Sequence, residues 1–167
     1  MKKTNTKRLV TLALCTAVAM ILSYLESLIP LSFAVPGIKI GFANIAVIFV
    51  LYRFGWKEAS IVSLLRIVWL ALLFGNAMTL IYSVCGAVLS LTGMILLKRL
   101  QKFSEVGVSV AGGILHNAGQ ITAAMVLMDT AQIVYYLPVL AISGTVAGIV
   151  IGIVAAILIK RVPANKI

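Results

Sequence analysis

Arg66, His116, Asn117 and Gln120 are polar side chains set inside apolar runs of this sequence, and that placement is where chemistry is to be sought. Arg66 lies near the middle of the run from Ala59 to Gly75. An arginine at the centre of a membrane helix costs roughly 2.5–3.5 kcal/mol on insertion scales, so its side chain must face a partner or water. Two roles are open to it: an ion pair with Glu26, or the binding or gating of a ligand. In the run from Val106 to Met128, Gly112, His116 and Gln120 fall four residues apart on one helical face, with Asn117 beside them. His116 is midway along that run, at nearly the depth of Arg66. These groups either line a polar cavity, with Gly112 and Gly113 opening space, or only hydrogen-bond between helices. Lys39 and Asn44 stand close together at the start of another apolar run. With Glu26 and Asn76 they are expected to ring the outer mouth of the same chamber, leaving the inner half nearly free of polar groups. The cationic balance of the set favours a ligand with an anionic part, such as phosphate or carboxylate, joined to an apolar body. The expected ligand contacts are therefore Lys39, Asn44, Arg66, His116, Asn117 and Gln120.

Other chemistries lack their residues. There is no G-x-x-x-x-G-K-[ST] loop for a nucleotide. Glu26, Glu58, Glu105 and Asp129 are too scattered to hold Mg²⁺ and a diphosphate. A single His without carboxylates at its depth gives no metal site, and no spacing supports a nucleophilic triad. Catalysis by this chain alone is not expected, and neither is a cofactor.

The elements that must position these groups are membrane helices. An apolar fraction of 62%, against 11% charged, places the chain outside the soluble range. Six segments can be read: Leu9 to Leu28, Ile40 to Tyr52, Ala59 to Gly75, Ala77 to Leu97, Val106 to Met128, and Ile133 to Ile159. With the N-terminus in the cytoplasm, Lys2, Lys3, Lys7, Arg8, Arg53, Lys57, Lys98, Arg99, Lys102, Lys160, Arg161 and Lys166 all fall inside, while only Lys39 falls outside. That asymmetry satisfies the positive-inside rule and puts both ends in the cytoplasm. The net charge of +10 then serves the anionic leaflet rather than nucleic acid, because no aromatic platforms interleave with it. The expected fold is an all-α integral membrane protein, a compact bundle of six transmembrane helices forming one domain over 1–167, in a bacterial inner membrane.

The spans differ. The first resembles a signal peptide, with Ser32-Phe33-Ala34 as a cleavage-like site, but about 20 residues exceed the usual h-region of roughly 7–15, so a retained helix is expected. The second is short, either a thinned crossing or a partly re-entrant segment. The last is long, with Pro138 near its start to bend or begin it. The first outer connection, Pro30 to Lys39, carries Pro30, Pro36 and Gly37 and should form a fixed turn over the mouth. Gly144, Gly148 and Gly152 make a smooth stripe for close helix approach, either within the bundle or to a partner subunit. Ala13 and Ala17 repeat the pattern weakly on the first helix. Cys15 and Cys85 lie within spans and are expected to pack as apolar groups.

Two segments carry a resemblance. Val35-Pro36-Gly37-Ile38-Lys39-Ile40-Gly41-Phe42-Ala43-Asn44-Ile45 and Gly112-Gly113-Ile114-Leu115-His116-Asn117-Ala118-Gly119-Gln120 resemble the hallmark stretches of a bacterial membrane family. That family is catalogued both as heptaprenyl diphosphate synthase component I and as the Gx transporter family, and the likeness covers nearly the whole chain. Six short spans with Ala13-x-x-x-Ala17 are also similar to the substrate-binding S components of energy-coupling factor (ECF) transporters. That likeness implies docking of the first helix on a coupling subunit, with ATPases beneath it. The synthase label instead implies a helper for making a long prenyl chain, as used for menaquinone. Prenyl synthases carry Asp-Asp-x-x-Asp motifs, whereas this chain has one Asp, Asp129, so catalysis would belong to a soluble prenyltransferase partner. The expected function is thus a transporter subunit that captures a small ligand from the outer side. The alternative is a non-catalytic subunit of prenyl diphosphate synthesis or of a quinone- or flavin-linked redox system.

Overall fold

The computed structural model describes residues 6–28, 41–75 and 77–162, apart from the side chain of Ser27. Lys39, Asn76 and the Pro30–Lys39 connection lie outside the described residues. The elements are α1 (Thr6–Leu28), α2 (Asn44–Arg53), α3 (Trp56–Phe74), α4 (Ala77–Leu100), α5 (Glu105–Met128), a 3₁₀ turn (Ala131–Tyr136) and α6 (Leu137–Arg161). Among the described residues there is no strand. Four stretches of the described residues are long and apolar enough to cross a membrane: α1, α4, α5, and α6 with its preceding turn. The chain is thus a multi-pass, all-helical membrane protein.

Six equal passes are not what the helices form. As described, α2 has ten residues, about 15 Å at 1.5 Å per residue, against a hydrocarbon core of about 30 Å. It starts at Asn44, later than the apolar run that begins at Ile40. Ala46 to Leu51 are all buried, six in succession, so α2 is apolar on every side because other helices surround it. α3 has 19 residues but carries Lys57, Glu58 and Arg66. The expected last span, Ile133 to Ile159, divides: the 3₁₀ turn ends at Tyr136, and α6 starts at Leu137 with Pro138 in its first turn. There a missing N–H is harmless and the fixed φ suits helix initiation.

Local chemistry sets the ends. Gly55 joins α2 to α3 at φ +116°, a backbone conformation that other residues rarely adopt. Ser104 caps α5, its Oγ accepting from the Gly107 N–H at 3.2 Å. Basic residues close three helices: Arg53 on α2, Lys98 and Arg99 on α4, Lys160 and Arg161 on α6. Arg8 pairs with Glu58 and stacks over Phe54 at 5.8 Å, which fastens the start of α1 to the α2–α3 turn. Lys98 donates to the Leu51 carbonyl at 2.5 Å and lies over Tyr52, fastening α4 to α2 at the same end. This basic end therefore gathers the described cations other than Arg66.

Glycines bring the long helices together. A Cβ on Gly148 would lie 2.6 Å from Val110 Cα, and one on Gly152 would lie 2.7 Å from Val106 Cα. Gly144 meets Gly113 in the same way, so α6 lies against the α5 backbone along this stripe. Gly119 and Gly86 bring α5 equally close to α4. Toward the basic end, Val47 to Leu51, Val62, Met94, Val108, Ile151 and Ala155 form the apolar core. Away from these contacts the surface is apolar, as lipid requires: Leu14, Leu72, Val126 and Ile142 are each more than half exposed.

Candidate functional site

A cavity of about 270 Å³ lies between the helices, and all six contribute to its wall. Glu26 from α1, Gly41 ahead of α2, Phe74 and Gly75 at the end of α3, and Thr79 on α4 line it. These positions place its upper part at the end opposite the basic residues. Its lower part narrows onto Ile48, Met94 and Ile151, which belong to the apolar core. The cavity thus borders the apolar core that lies toward the basic end.

Arg66 projects into this space from α3. The residue is only 8% exposed, and neither a hydrogen bond nor an ion pair joins it to another described residue. Glu26 lies on the same wall and acts on Arg66 through space, but the two form no direct pair. One Glu26 oxygen instead accepts from the Gly41 N–H at 2.6 Å, which ties α1 to the start of α2. Of the two roles open to Arg66, an ion pair with Glu26 is thus not what the geometry contains. A buried guanidinium is costly unless an acceptor meets it, and no described residue supplies one to Arg66.

The groups of the fifth segment divide. Gly112, Gly113, His116 and Asn117 line the cavity. Gln120 does not; its Cγ lies against Gly86, where a Cβ would come within 2.9 Å, so it faces α4. The ring of His116 also reaches the α4 backbone at Gly86. Asn117 is buried and its amide donates to the Leu140 carbonyl at 2.7 Å, across to α6. It both borders the chamber and ties two helices. Asn117→Ala is expected to lower stability by about 0.6 kcal/mol, the average worth of an interhelical hydrogen bond in a membrane, and by no more than about 1.7 kcal/mol. A fall in the unfolding midpoint in mild detergent would register the loss.

Asn44 borders the cavity from the first turn of α2. Of the expected contacts, Asn44, Arg66, His116 and Asn117 therefore come together with Glu26, and Gln120 stands apart. Lys39 and Asn76 lie outside the described residues. Ala13 and Ala17 are exposed on α1, remote from the cavity.

Several lining residues escaped sequence reasoning. Ser23 stands one turn before Glu26, Thr79 and Ser83 are four apart on α4, and Ser109 precedes Gly112 by three. Each spacing was legible, but single hydroxyls are common in membrane helices and bond back to their own backbone, as Thr92 and Thr122 do here. Ser109 differs: its Oγ is sealed within the bundle and has no hydrogen-bond partner. Gly144 and Gly148 face the chamber as well as α5, so the same small residues that let helices touch also leave room beside them.

A family model described as heptaprenyl diphosphate synthase component I matches residues 15–158, most of the chain. No match was found among curated proteins or among solved structures.

Proposed function

The chain belongs to the heptaprenyl diphosphate synthase component I family, and from that premise and the cavity we propose that it is the substrate-binding subunit of a small-molecule transporter. In this reading it is a single membrane domain akin to an ECF S component, with both termini in the cytoplasm of a bacterial cell and the basic end facing inward. The ligand is anionic or amphipathic and enters from the outer side. The observation that carries the reading is Arg66, a buried guanidinium turned into a cavity and in no direct ion pair with any described residue. Arg66 holds the anionic group, while Asn44, His116 and Asn117 orient the rest. Lys39 belongs to the proposed mouth, and Gln120 supports the wall from the α4 side.

Energy must come from partners, because the sequence has no nucleotide loop. The exposed small side chains of Ala13 and Ala17 offer α1 a surface on which a coupling subunit could dock, with ATPases beneath. Lipid covers the remaining apolar face, and nucleic acid has no part.

The family description favours a second reading, a non-catalytic partner in heptaprenyl diphosphate synthesis. The cavity bears on it: about 150 Å³ of apolar space holds one benzene ring, so about 270 Å³ holds roughly two and cannot enclose a seven-isoprene chain. A prenyl product would have to lie along the lipid-facing surface instead. Gentle purification from native membranes, with mass spectrometry of what accompanies the protein, separates the two. Coupling and ATPase subunits with a compact anionic molecule are the expected companions. A stoichiometric soluble prenyltransferase with no such molecule would replace the transporter reading by the second.

A further inference from the structure

We infer that the ligand is a compact zwitterion, carrying an anionic group for Arg66 and a cationic group for Glu26 at the two charged points of the cavity wall. This deepens the transporter reading and rests on it. Among the described residues the cavity wall holds one charged side chain of each sign, and the two form no direct pair. Arg66 has no acceptor among the described residues, and the carboxylate of Glu26 has one oxygen on the Gly41 N–H. A purely anionic ligand would satisfy Arg66 but bring its charge onto the wall that also carries the Glu26 carboxylate, where like charges repel. A purely cationic ligand would leave Arg66 unmet. A molecule bearing both charges meets both demands and enters with no net charge, which lowers the penalty of leaving water.

Size and depth narrow the class. A volume of about 270 Å³ is roughly 1.8 times that of a cavity holding one benzene, which corresponds to about eleven non-hydrogen atoms. Below the charged pair the wall turns apolar at Ile48, Met94 and Ile151, so the body of the molecule is apolar and points toward the basic end. The geometry thus describes a small amphiphilic amino acid rather than a simple fatty acid or a diphosphate.

Matched probes on the full-length protein in nanodiscs decide the matter. Two sets each keep one skeleton and vary its charges: phenylalanine, 3-phenylpropanoate and 2-phenylethylamine; leucine, 4-methylpentanoate and isoamylamine. Titration calorimetry is expected to show at least one zwitterion binding, with both of its single-charge analogues weaker by about 30-fold or more, the scale of removing one partner of a buried charge pair. In Glu26→Gln the anion-only analogue of that set should come level with the zwitterion. The comparison on the unaltered protein decides even if that variant folds poorly. An anion-only analogue that binds the unaltered protein as tightly as its zwitterion overturns the inference and leaves the anion-binding role of Arg66 standing. Absence of binding by every probe overturns the zwitterion, and loss of the co-purified anion as well would remove the transporter reading with it.

Discussion

Arg66→Leu is expected to leave a folded protein that no longer binds its ligand. In most soluble proteins, removing a buried arginine exposes a carboxylate that had depended on it, at a cost of about 3–5 kcal/mol. Here no described residue pairs directly with Arg66, and Glu26, which acts on it only through space, keeps its hydrogen bond from the Gly41 N–H, so the penalty should be smaller. Leu also removes a charge that is unfavourable in the bilayer by roughly 2.5–3.5 kcal/mol on insertion scales. The unfolding midpoint of the empty protein should accordingly stay level or rise. Binding should fall by about 30-fold or more, because the anionic group of the ligand would enter a space where no described cation remains to receive it. Arg66→Lys tests the detail: the charge remains, but the planar fork that grips a carboxylate or phosphate at two points is gone, so affinity should be intermediate. Calorimetry with the co-purified molecule and a thermal scan of each variant measure the two effects separately. Unchanged affinity in the leucine variant would make Arg66 a structural group and leave the cavity without its anchor.

Gly148→Leu should do the opposite, harming the fold before it can touch the ligand. The clash is with backbone: the new Cβ would lie 2.6 Å from Val110 Cα and 3.1 Å from the Ser109 carbonyl oxygen. Main chain cannot swing aside as the tip of a side chain can, and the remaining atoms of leucine compound the overlap. Overpacking commonly costs about 1–3 kcal/mol when side chains can adjust, and a backbone clash should exceed that. The expected result is little or no monodisperse protein after extraction. Gly107→Ala is the matched control, since its Cβ would meet nothing closer than 3.7 Å. That change should stabilise α5 by about 0.5–1 kcal/mol, the propensity difference between glycine and alanine in a helix. If Gly148→Leu yields a well-behaved protein with a normal midpoint, the close approach of α6 to α5 is wrong.

Much of the site was legible because its residues are out of place in lipid. Arg66, His116 and Asn117 each stand within apolar runs, and an intramembrane polar group must find a partner or a cavity. Glu26 was placed at the mouth by its position near the end of the first helix, and the wall of the cavity includes it. Gln120 shows where this reasoning stops. It lies four residues from His116 and so about 40° away around the helix, close enough to share a face on paper. The neighbour decides otherwise: Gly86 lets α4 approach, and Gln120 packs there. The shortness of α2 was likewise visible, but its burial on every side was not, because a run of apolar residues reads the same whether lipid or protein surrounds it.

What the amino-acid order determined by itself was therefore local and compositional. Apolar runs of helical length, basic residues at alternate connections, and a few polar groups at mid-depth specify a helical membrane protein and name most of the residues worth testing. Those properties follow from hydropathy and charge along the chain, which need no knowledge of neighbours. Only the tertiary structure decided which side each helix turns inward and that Arg66 and Glu26 share a chamber without pairing. It also set Asn117 against the α6 backbone and the chamber against an apolar core. The reason is that the rotation of a helix about its own axis is set by where it can lie closest to the next one. In this bundle the glycine contacts between α4, α5 and α6 set it.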